Sequence, residues 1–255
     1  MRINSLTSPN NARDIILELK SVSRRFGSRE ALHEIDFSVH RGEFVAVLGP
    51  SGCGKTTILN LLSGFDTPTS GEVRRAESTR TVFQDDSLFP WLSARDNIVF
   101  GARHLPDKRA RELRANELLE LIGLGAFGDH FPRQLSGGMK QRVSIARALA
   151  GDAPILLLDE PFSHLDYLSR LRLRGEFARL LNVKPRTVVL VTHDVEEATQ
   201  LADRVVIVSP GPGQVASQFT ISSARPRDPL DPVVIEATRL ALSGLHALEP
   251  AQELT

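Results

Sequence analysis

The chain has 255 residues, and its 31 Lys and Arg residues balance its 31 Asp and Glu residues, so the formal net charge is zero. The protein therefore has no overall positive charge to attract nucleic acid. Cys53 is the single cysteine, which excludes a disulfide within the chain and is typical of a reducing, cytoplasmic compartment. No apolar run reaches the roughly 18–20 residues of a membrane-spanning helix and no signal-peptide pattern opens the chain, so we expect a soluble intracellular protein that reaches a membrane only through a partner.

Strands dominate the predicted elements at the start of the chain. Residues 1–13 are polar and predict a loose N-terminal tail. Alternating apolar residues and short apolar runs predict strands over 15–26, 31–39, 43–48, the segment after Ser70 and 81–83. A glycine-rich turn follows the third of these strands, and a helical pattern begins near Gly54.

The middle of the chain changes character, because its patterns from about residue 85 to 151 are helical and β-branched runs are rare. One helix is predicted over about 106–122 and another from Ser136, which indicates a helical insert within an α/β body. After the insert, strands and helices alternate over 154–159, 166–181, 187–191, 195–202 and 205–208. This alternation predicts a mainly parallel sheet with helices on both faces.

The end of the chain predicts a hairpin strand and a final helix. A Pro-Gly turn at 210–213 precedes the strand, and Asp231 with Pro232 then caps the helix. The side of this helix that we predict to pack carries Val233, Ala237, Leu240 and Ala241.

The glycine-rich turn GPSGCGKTT, at 49–57, fits the phosphate-loop pattern G-x-x-x-x-G-K-[ST] between a strand and a helix. Its glycines let consecutive backbone N–H groups curl toward a triphosphate, and the helix adds its positive N-terminal end. Lys55 supplies a charge for the β- and γ-phosphate oxygens, and the Thr56 hydroxyl is a candidate ligand for Mg²⁺. The predicted nucleotide-binding residues here are Gly49, Pro50, Ser51, Gly52, Cys53, Gly54, Lys55, Thr56 and Thr57. A glycine turn that only joins a strand to a helix is the alternative.

Two carboxylates end the apolar strand at 154–159, at the edge of the sheet where ligands bind. Asp159 is predicted to hold Mg²⁺ through water, opposite the Thr56 ligand. Glu160 is predicted to be the general base for an attacking water. Because acidic residues often end strands, this interpretation depends on the phosphate loop being present as well.

The octet LSGGMKQR, at 135–142, starts a helix with a serine and two glycines and forms a second N-terminal anion site. The phosphate loop already cradles the single γ-phosphate of a nucleotide from one side. We therefore predict that Ser136, Gly137 and Gly138 serve the nucleotide of a neighbouring copy. The alternative is a capped helix start with no ligand.

Phe26 lies at the turn after the first predicted strand. An aromatic ring there is suited to stack on a nucleobase, a contact that contributes about 1–3 kcal/mol in other proteins. A hairpin or core aromatic is an equally good interpretation from position alone.

With these motifs in this order, the chain resembles the nucleotide-binding subunit of ATP-binding-cassette (ABC) transporters from residue 15 to about 222. The marks of that family here are the phosphate loop, the Q-loop residue Gln84, the signature 135–142, Asp159 with Glu160, the D-loop 163–166 and the switch residue His193. The resemblance implies an α/β fold: a P-loop NTPase core with a mainly parallel sheet, an antiparallel β subdomain and an inserted α-helical signature subdomain. It also implies a domain over 14–222 and a C-terminal helical extension over 223–255.

In that family two subunits form a head-to-tail dimer around two ATP molecules. The resemblance implies that one copy supplies 49–57, Gln84, Asp159, Glu160 and His193 to each site. The other copy would supply the turn at Ser136. Gln84 would contact Mg²⁺ and the water, and His193 would contact the γ-phosphate. Phe26 stands where tyrosine is usual, and His164 stands in the D-loop where alanine is usual.

The segment Phe89-Pro90-Trp91 follows the Q-loop and suits the docking of a short helix of a membrane permease. The alternative is that Phe89 and Trp91 anchor the insert. Pro90-Trp91 and the turn at 209–213 resemble the importer branch for nitrate, taurine and alkyl sulfonates, although that turn lacks the arginine often found between its prolines.

The expected function is therefore an ATPase, peripheral at the cytoplasmic face of the inner membrane, that powers uptake of a small solute through a separate permease fed by a solute-binding protein. One alternative is a soluble ABC-type ATPase acting on nucleic acid or ribosomes. A phosphate-loop kinase is a further alternative, but a kinase of that kind gives no role to the octet at 135–142.

Overall fold

The secondary-structure elements follow the predicted order closely. The computed structural model describes residues 14–85, 87–163, 165–183 and 185–248, so the predicted tail over 1–13 and the D-loop residue His164 lie outside the described residues. The strands are β1 (Ile15–Phe26), β2 (Arg29–His40), β3 (Phe44–Leu48), β4 (Ser70–Arg75), β5 (Thr79–Val82), β6 (Ile155–Asp159), β7 (Thr187–Thr192), β8 (Arg204–Val208) and β9 (Val215–Thr220). The helices are α1 (Lys55–Ser63), α2 (Ala94–Gly101), α3 (Lys108–Leu121), α4 (Gly137–Ala150), α5 (Tyr167–Val183), α6 (Val195–Leu201) and α7 (Pro232–His246).

The strands form the mainly parallel sheet and the antiparallel subdomain that were predicted. The larger sheet has the order β5-β6-β7-β3-β8-β9, in which each neighbouring pair is parallel except β8 with β9. The smaller sheet has the order β2-β1-β4 and is antiparallel. Every residue of β3, β6 and β7 is buried, as expected for central strands that are covered on both faces.

Side-chain alternation along the central strands divides the core into two layers. In β3, Phe44 and Leu48 face the helical insert and the C-terminal helices, where Phe44 packs edge-to-face on Phe177 of α5 with ring centroids 6.4 Å apart. Val45 and Val47 face α1 and the antiparallel sheet. The phosphate-loop helix is therefore held between two sheets.

The helical insert contains one helix that sequence patterns did not single out. α2 has only eight residues, which is too short for a clear apolar period. Its start is capped by Ser93, whose side chain accepts a hydrogen bond from the Asp96 N–H. α3 and α4 lie where they were predicted, and the Ser136 hydroxyl caps α4 by accepting from the Met139 N–H.

The predicted packing face of α7 is partly wrong. The buried residues are Val234, Ala237 and Ala241, whereas Val233 and Leu240 are about two-fifths exposed, at 40% and 42%. Apolar residues cover more than one face of this helix. Only the face that carries Ala241 is buried, because that face packs against α6 and β8. Every helix of the described residues is too short or too polar to cross a bilayer.

Candidate functional site

Segments that are distant in sequence meet at one pocket of about 730 Å³ beyond the ends of the parallel strands. This volume lies within the range of about 300–1,000 Å³ found for small-molecule sites. The lining residues are Phe26, Arg29, Ala31, Ser51, Gly52, Gly54, Lys55, Thr56, Thr57, Gln84, Glu160 and His193. Most of them are residues that the sequence pointed to, and they come from five separate parts of the chain.

The phosphate loop curls around the Lys55 side chain. The Lys55 ammonium donates to the carbonyl oxygens of Gly49 and Pro50, both at 2.9 Å. Gly52 and Gly54 have φ angles of 78° and 96°, in the left-handed region that favours glycine. Gly54 is the N-cap of α1 and has no side chain to cap the helix, so the first N–H groups of α1 stay available at the pocket.

Gly49 lies at a close approach of the loop to the sheet. A Cβ on Gly49 would lie 2.7 Å from the Val208 carbonyl oxygen and 2.8 Å from the Cys53 sulfur. Cys53 therefore points into the core, and burial raises the pKa of its thiol. Gly49, Pro50 and Cys53 shape the loop but do not line the pocket.

Asp159 ends β6 beneath the phosphate loop and is only 5% exposed. Burial raises the pKa of Asp159, and a hydrogen bond with the Thr56 side chain opposes that rise. Among the residues that the structure describes, no three His, Cys, Asp or Glu side chains cluster to hold a metal by themselves. A hydroxyl and a carboxylate side by side fit Mg²⁺, which takes few protein ligands and completes its shell with phosphate oxygens and water.

Glu160 and His193 are in direct contact, which the sequence did not predict. His193 Nδ1 lies 3.0 Å from Glu160 Oε1, and the His193 ring is largely exposed while the Glu160 side chain is mostly buried. Glu160 has a φ angle of 44°, which is uncommon for a residue with a side chain and is often found at functional sites. Its N–H donates to the Val191 carbonyl at 2.9 Å, which anchors this conformation to β7.

Phe26 forms one wall of the pocket and is 49% exposed. The Arg24 guanidinium stacks 4.4 Å from the centroid of the Phe26 ring, and Asp66 holds that guanidinium with a hydrogen bond of 2.8 Å. Arg29 and Ala31 also line the pocket, although no sequence motif points to them. The short turn between β1 and β2 could have predicted the position of Arg29, because the hairpin pairs Arg29 directly with Phe26.

The signature turn lies apart from this pocket. Ser136 and Gly137 are exposed at the N-terminus of α4, and neither they nor Gly138 line the pocket. A Cβ on Gly137 would meet no atom within 4 Å, so the space in front of this turn is open within the chain. The predicted site residues thus fall into two groups on one chain.

The aromatic segment after Gln84 is held rigidly but keeps one ring exposed. The Phe89 ring lies 4.5 Å from that of Phe100 and 5.5 Å from that of Trp91, measured between centroids. Asn97 is fully buried and bonds the backbone of Phe89 and Leu92. Trp91 is 70% exposed, so it does not serve as a buried anchor, whereas Phe89 is half-buried.

Comparison with known proteins assigns the family. Residues 32–163 match the family described as ABC transporter. The chain belongs to this family. The ABC cassette therefore binds and hydrolyses ATP, and the predicted P-loop α/β fold is confirmed by solved cassettes that it resembles.

Named relatives cover most of this ABC chain. It is 44% identical over 236 residues to the aliphatic sulfonates import ATP-binding protein SsuB of Granulibacter bethesdensis, covering 92% of this chain and 96% of that protein. It is 46% identical over 212 residues to the spermidine/putrescine import ATP-binding protein PotA of Oleidesulfovibrio alaskensis, covering 78% of this chain but 56% of that protein. Among solved structures, the dimeric post-hydrolysis cassette MJ0796 bound to ADP and Pi matches with a TM-score of 0.74 and 32% identity, over 82% of this chain and 100% of that chain.

The close approach at Gly49 generates a test of how the loop is held. Gly49→Ala forces the loop away from Val208, and we expect it to lower the free energy of unfolding by about 1–3 kcal/mol, as overpacking does elsewhere. Gly137→Ala is the matched control, because its new methyl group meets open space. Urea unfolding followed by circular dichroism measures both. Equal stability of the two variants would contradict the close approach.

Proposed function

We propose that this ABC ATPase acts as a homodimer whose closure on ATP powers the uptake of a small anion through a separate permease. The observation that carries the proposal is the division of the predicted site residues into two groups. The pocket is lined by six residues of the phosphate loop together with Gln84, Glu160 and His193, whereas the turn at Ser136 is exposed elsewhere. A head-to-tail pair brings the second group of one copy to the pocket of the other.

ATP is the ligand that joins the two copies in this mechanism. The loop at 49–57 and the ring of Phe26 bind ATP in one copy, and Ser136, Gly137 and Gly138 of the other copy close over its γ-phosphate. A ligand that contacts both copies stabilises the closed dimer by mass action, and its hydrolysis removes that stabilisation. The match to a dimeric cassette supports this arrangement.

The chemical step assigns each polar residue a separate task. Water attacks the γ-phosphorus, its proton passes to the Glu160 carboxylate, and the bond to the ADP oxygen breaks. Mg²⁺ bound by Thr56, Asp159 and Gln84 would neutralise charge on the phosphate oxygens. Because His193 uses Nδ1 toward Glu160, its Nε2 is the nitrogen left for the γ-phosphate.

The aromatic segment supports docking of the permease. Trp91 presents a large exposed ring, and the rings of Phe89 and Phe100 together with the Asn97 hydrogen bonds hold it in place. Arg103 stacks 3.6 Å from the centroid of the Phe100 ring and adds a positive edge. A short helix of a permease at the cytoplasmic face of the membrane is the occupant that we propose.

The anion class of the solute rests on the relatives and on one motif. Sulfonate importers match over nearly their full length, whereas the polyamine importer matches over about half of its length. Pro90-Trp91 is also typical of the branch for nitrate, taurine and sulfonates. A solute-binding protein and the permease would select the solute, and the names of these relatives do not favour the nucleic-acid alternative.

The domain division also remains a proposal: a cassette over 14–222 with the insert at 85–151, followed by an extension over 223–255. The packing of α2, α3 and α4 against one another supports the insert. The extension packs onto the cassette, since α7 contacts α6 and Arg227 donates to the Ala202 carbonyl at the end of α6.

Replacement of the proposed base separates binding from chemistry. Glu160→Gln keeps the shape of the side chain but cannot accept the proton, so we expect turnover to fall by about 10²–10⁴-fold. ATP binding should remain, and the protein should elute as an ATP-dependent dimer in size-exclusion chromatography. Turnover at the normal rate would remove Glu160 from the mechanism.

Mixing of two inactive variants tests the shared site. Ser136→Arg blocks the turn that closes on the partner's ATP, and Lys55→Ala removes a phosphate contact within the pocket. Each variant alone should be inactive in ATPase assays. A mixed dimer contains one pocket with an intact Lys55 and an intact partner turn, so mixing should restore activity.

The control for the mixing experiment is Asp107→Arg, which changes the N-cap of α3 in the same insert and should keep its activity. The absence of restored activity in a mixture that forms dimers would contradict the shared site.

Removal of the exposed ring tests the docking surface. Trp91→Ala should weaken permease-stimulated ATP hydrolysis and solute uptake in vesicles, while the basal ATPase rate of the isolated subunit stays near wild type. Phe127→Ala is the matched control, an exposed aromatic elsewhere in the insert. Equal losses of basal and stimulated activity would favour the anchoring interpretation.

A further inference from the structure

We propose that Arg170 is a positioning residue for His193, because it ties the segment after Glu160 to the segment that carries His193. The inference rests on the proposed function, in which His193 acts on the reacting phosphate. Arg170 lies in the first turn of α5 and does not line the pocket. It therefore acts through its neighbours and not through contact with the nucleotide.

The two segments that meet in the pocket are joined a second time behind it. In the pocket, His193 Nδ1 lies 3.0 Å from Glu160 Oε1. Behind it, Arg170 Nη1 donates to Asp194 Oδ2 at 2.8 Å, and Arg170 Nη2 donates to the Leu165 carbonyl at 3.3 Å. One guanidinium thus bridges a residue five positions after Glu160 and the residue next to His193.

The Leu165 end of this bridge is itself fixed. Leu165 is buried, and its N–H donates to the Phe162 carbonyl at 3.2 Å. The Glu160 carbonyl accepts from the Ser163 N–H at 3.2 Å and from its hydroxyl at 2.9 Å. These bonds hold the turn that follows Glu160. The hydrogen bond from Arg170 to the Leu165 carbonyl is therefore made to the same turn that Glu160 begins.

The Asp194 end is equally constrained. Asp194 Oδ1 accepts from the Glu197 N–H at 3.1 Å and caps α6, while the Asp194 N–H donates to the Thr192 hydroxyl at 2.9 Å. Burial raises the pKa of Asp194, but Arg174, the Glu197 N–H and Arg170 outweigh it, so the net direction is down and the group is a carboxylate. Asp194, the residue next to His193, is therefore fixed at its N–H by Thr192 and at its carboxylate by the Glu197 N–H and the two arginines.

Arg170 and Arg174 both bind Asp194 but are not equivalent. Arg174 is 2% exposed and also donates to Glu197, a buried carboxylate whose loss of partner would damage the fold. The Arg170 side chain is 27% exposed, and Asp194 also accepts from Arg174 at 2.8 Å, a contact that does not involve Arg170. Loss of Arg170 therefore removes the bridge to Leu165 and leaves the buried pairs intact.

The test is a double-mutant cycle of Arg170→Met with His193→Ala, measured as kcat and as the Kd of a fluorescent ATP analogue. We expect Arg170→Met to lower kcat by about 10–100-fold, since small misplacements near the reacting atoms have effects of that size. Its Kd should stay within about twofold of wild type, because the ATP-binding loop is untouched. Its thermal midpoint should fall by no more than about 2–4 °C.

The double variant decides how Arg170 acts. If Arg170 works through His193, the double variant should be no slower than His193→Ala alone. Arg170→Lys should give an intermediate kcat, because one ammonium cannot replace both arms of the guanidinium. Arg179→Met, an exposed arginine on the same helix, is the matched control and should retain wild-type kcat.

The other outcomes overturn the inference in distinguishable ways. Additive losses in the double variant, or a loss of kcat that follows a loss of thermal stability, would give Arg170 a structural role only. A normal kcat for Arg170→Met beside an inactive His193→Ala would remove the positioning role and leave the proposed function standing. A normal kcat for His193→Ala would overturn both the role of His193 and this inference.

Discussion

The register of three parallel strands is the constraint on which the site depends. β3 and β6 flank β7, with Leu48 opposite Thr192 and Asp159 opposite Val191. The phosphate loop, Glu160 and His193 each follow one of these strands directly, so the hydrogen-bond ladder brings all three to one edge of the sheet. A slip of one residue would exchange the two faces of a strand and separate these groups.

The site keeps charged groups within a buried framework by giving each a local partner. Lys55 bonds carbonyls of its own loop, and Asp159 lies against the Thr56 side chain. Behind His193, arginines of α5 compensate buried carboxylates of α6: burial raises the pKa of Glu197, and the Arg174 charge opposes that rise. Each of these groups is held by a partner within the chain, and such preorganisation favours electrostatic catalysis.

The proposed mechanism uses the separation between the pocket and the turn at Ser136. A single chain that carried both halves of the phosphate cradle together would close on ATP without a partner. In this proposed mechanism the halves are apart, so ATP binding would supply the free energy for dimer closure, and closure would move the permease that we propose docks near Trp91. The bridge through Arg170 adds a proposed link within each half, from the backbone after Glu160 to the turn that bears His193.

Local patterns in the sequence determined the order of strands and helices, the phosphate loop and the family. Strands such as β6 and β7 are recognisable because they are continuous apolar runs, and the loop is recognisable because it needs glycine at particular φ angles. The local patterns also named most of the pocket lining. They missed α2, whose eight residues carry little periodicity, and misplaced the packed face of α7, whose apolar residues extend beyond one face. Only the tertiary structure decided that the Cys53 thiol points into the core, that Arg29 lines the pocket and that His193 contacts Glu160. Those facts depend on which elements pack together, and contacts between distant segments leave no local pattern in the sequence.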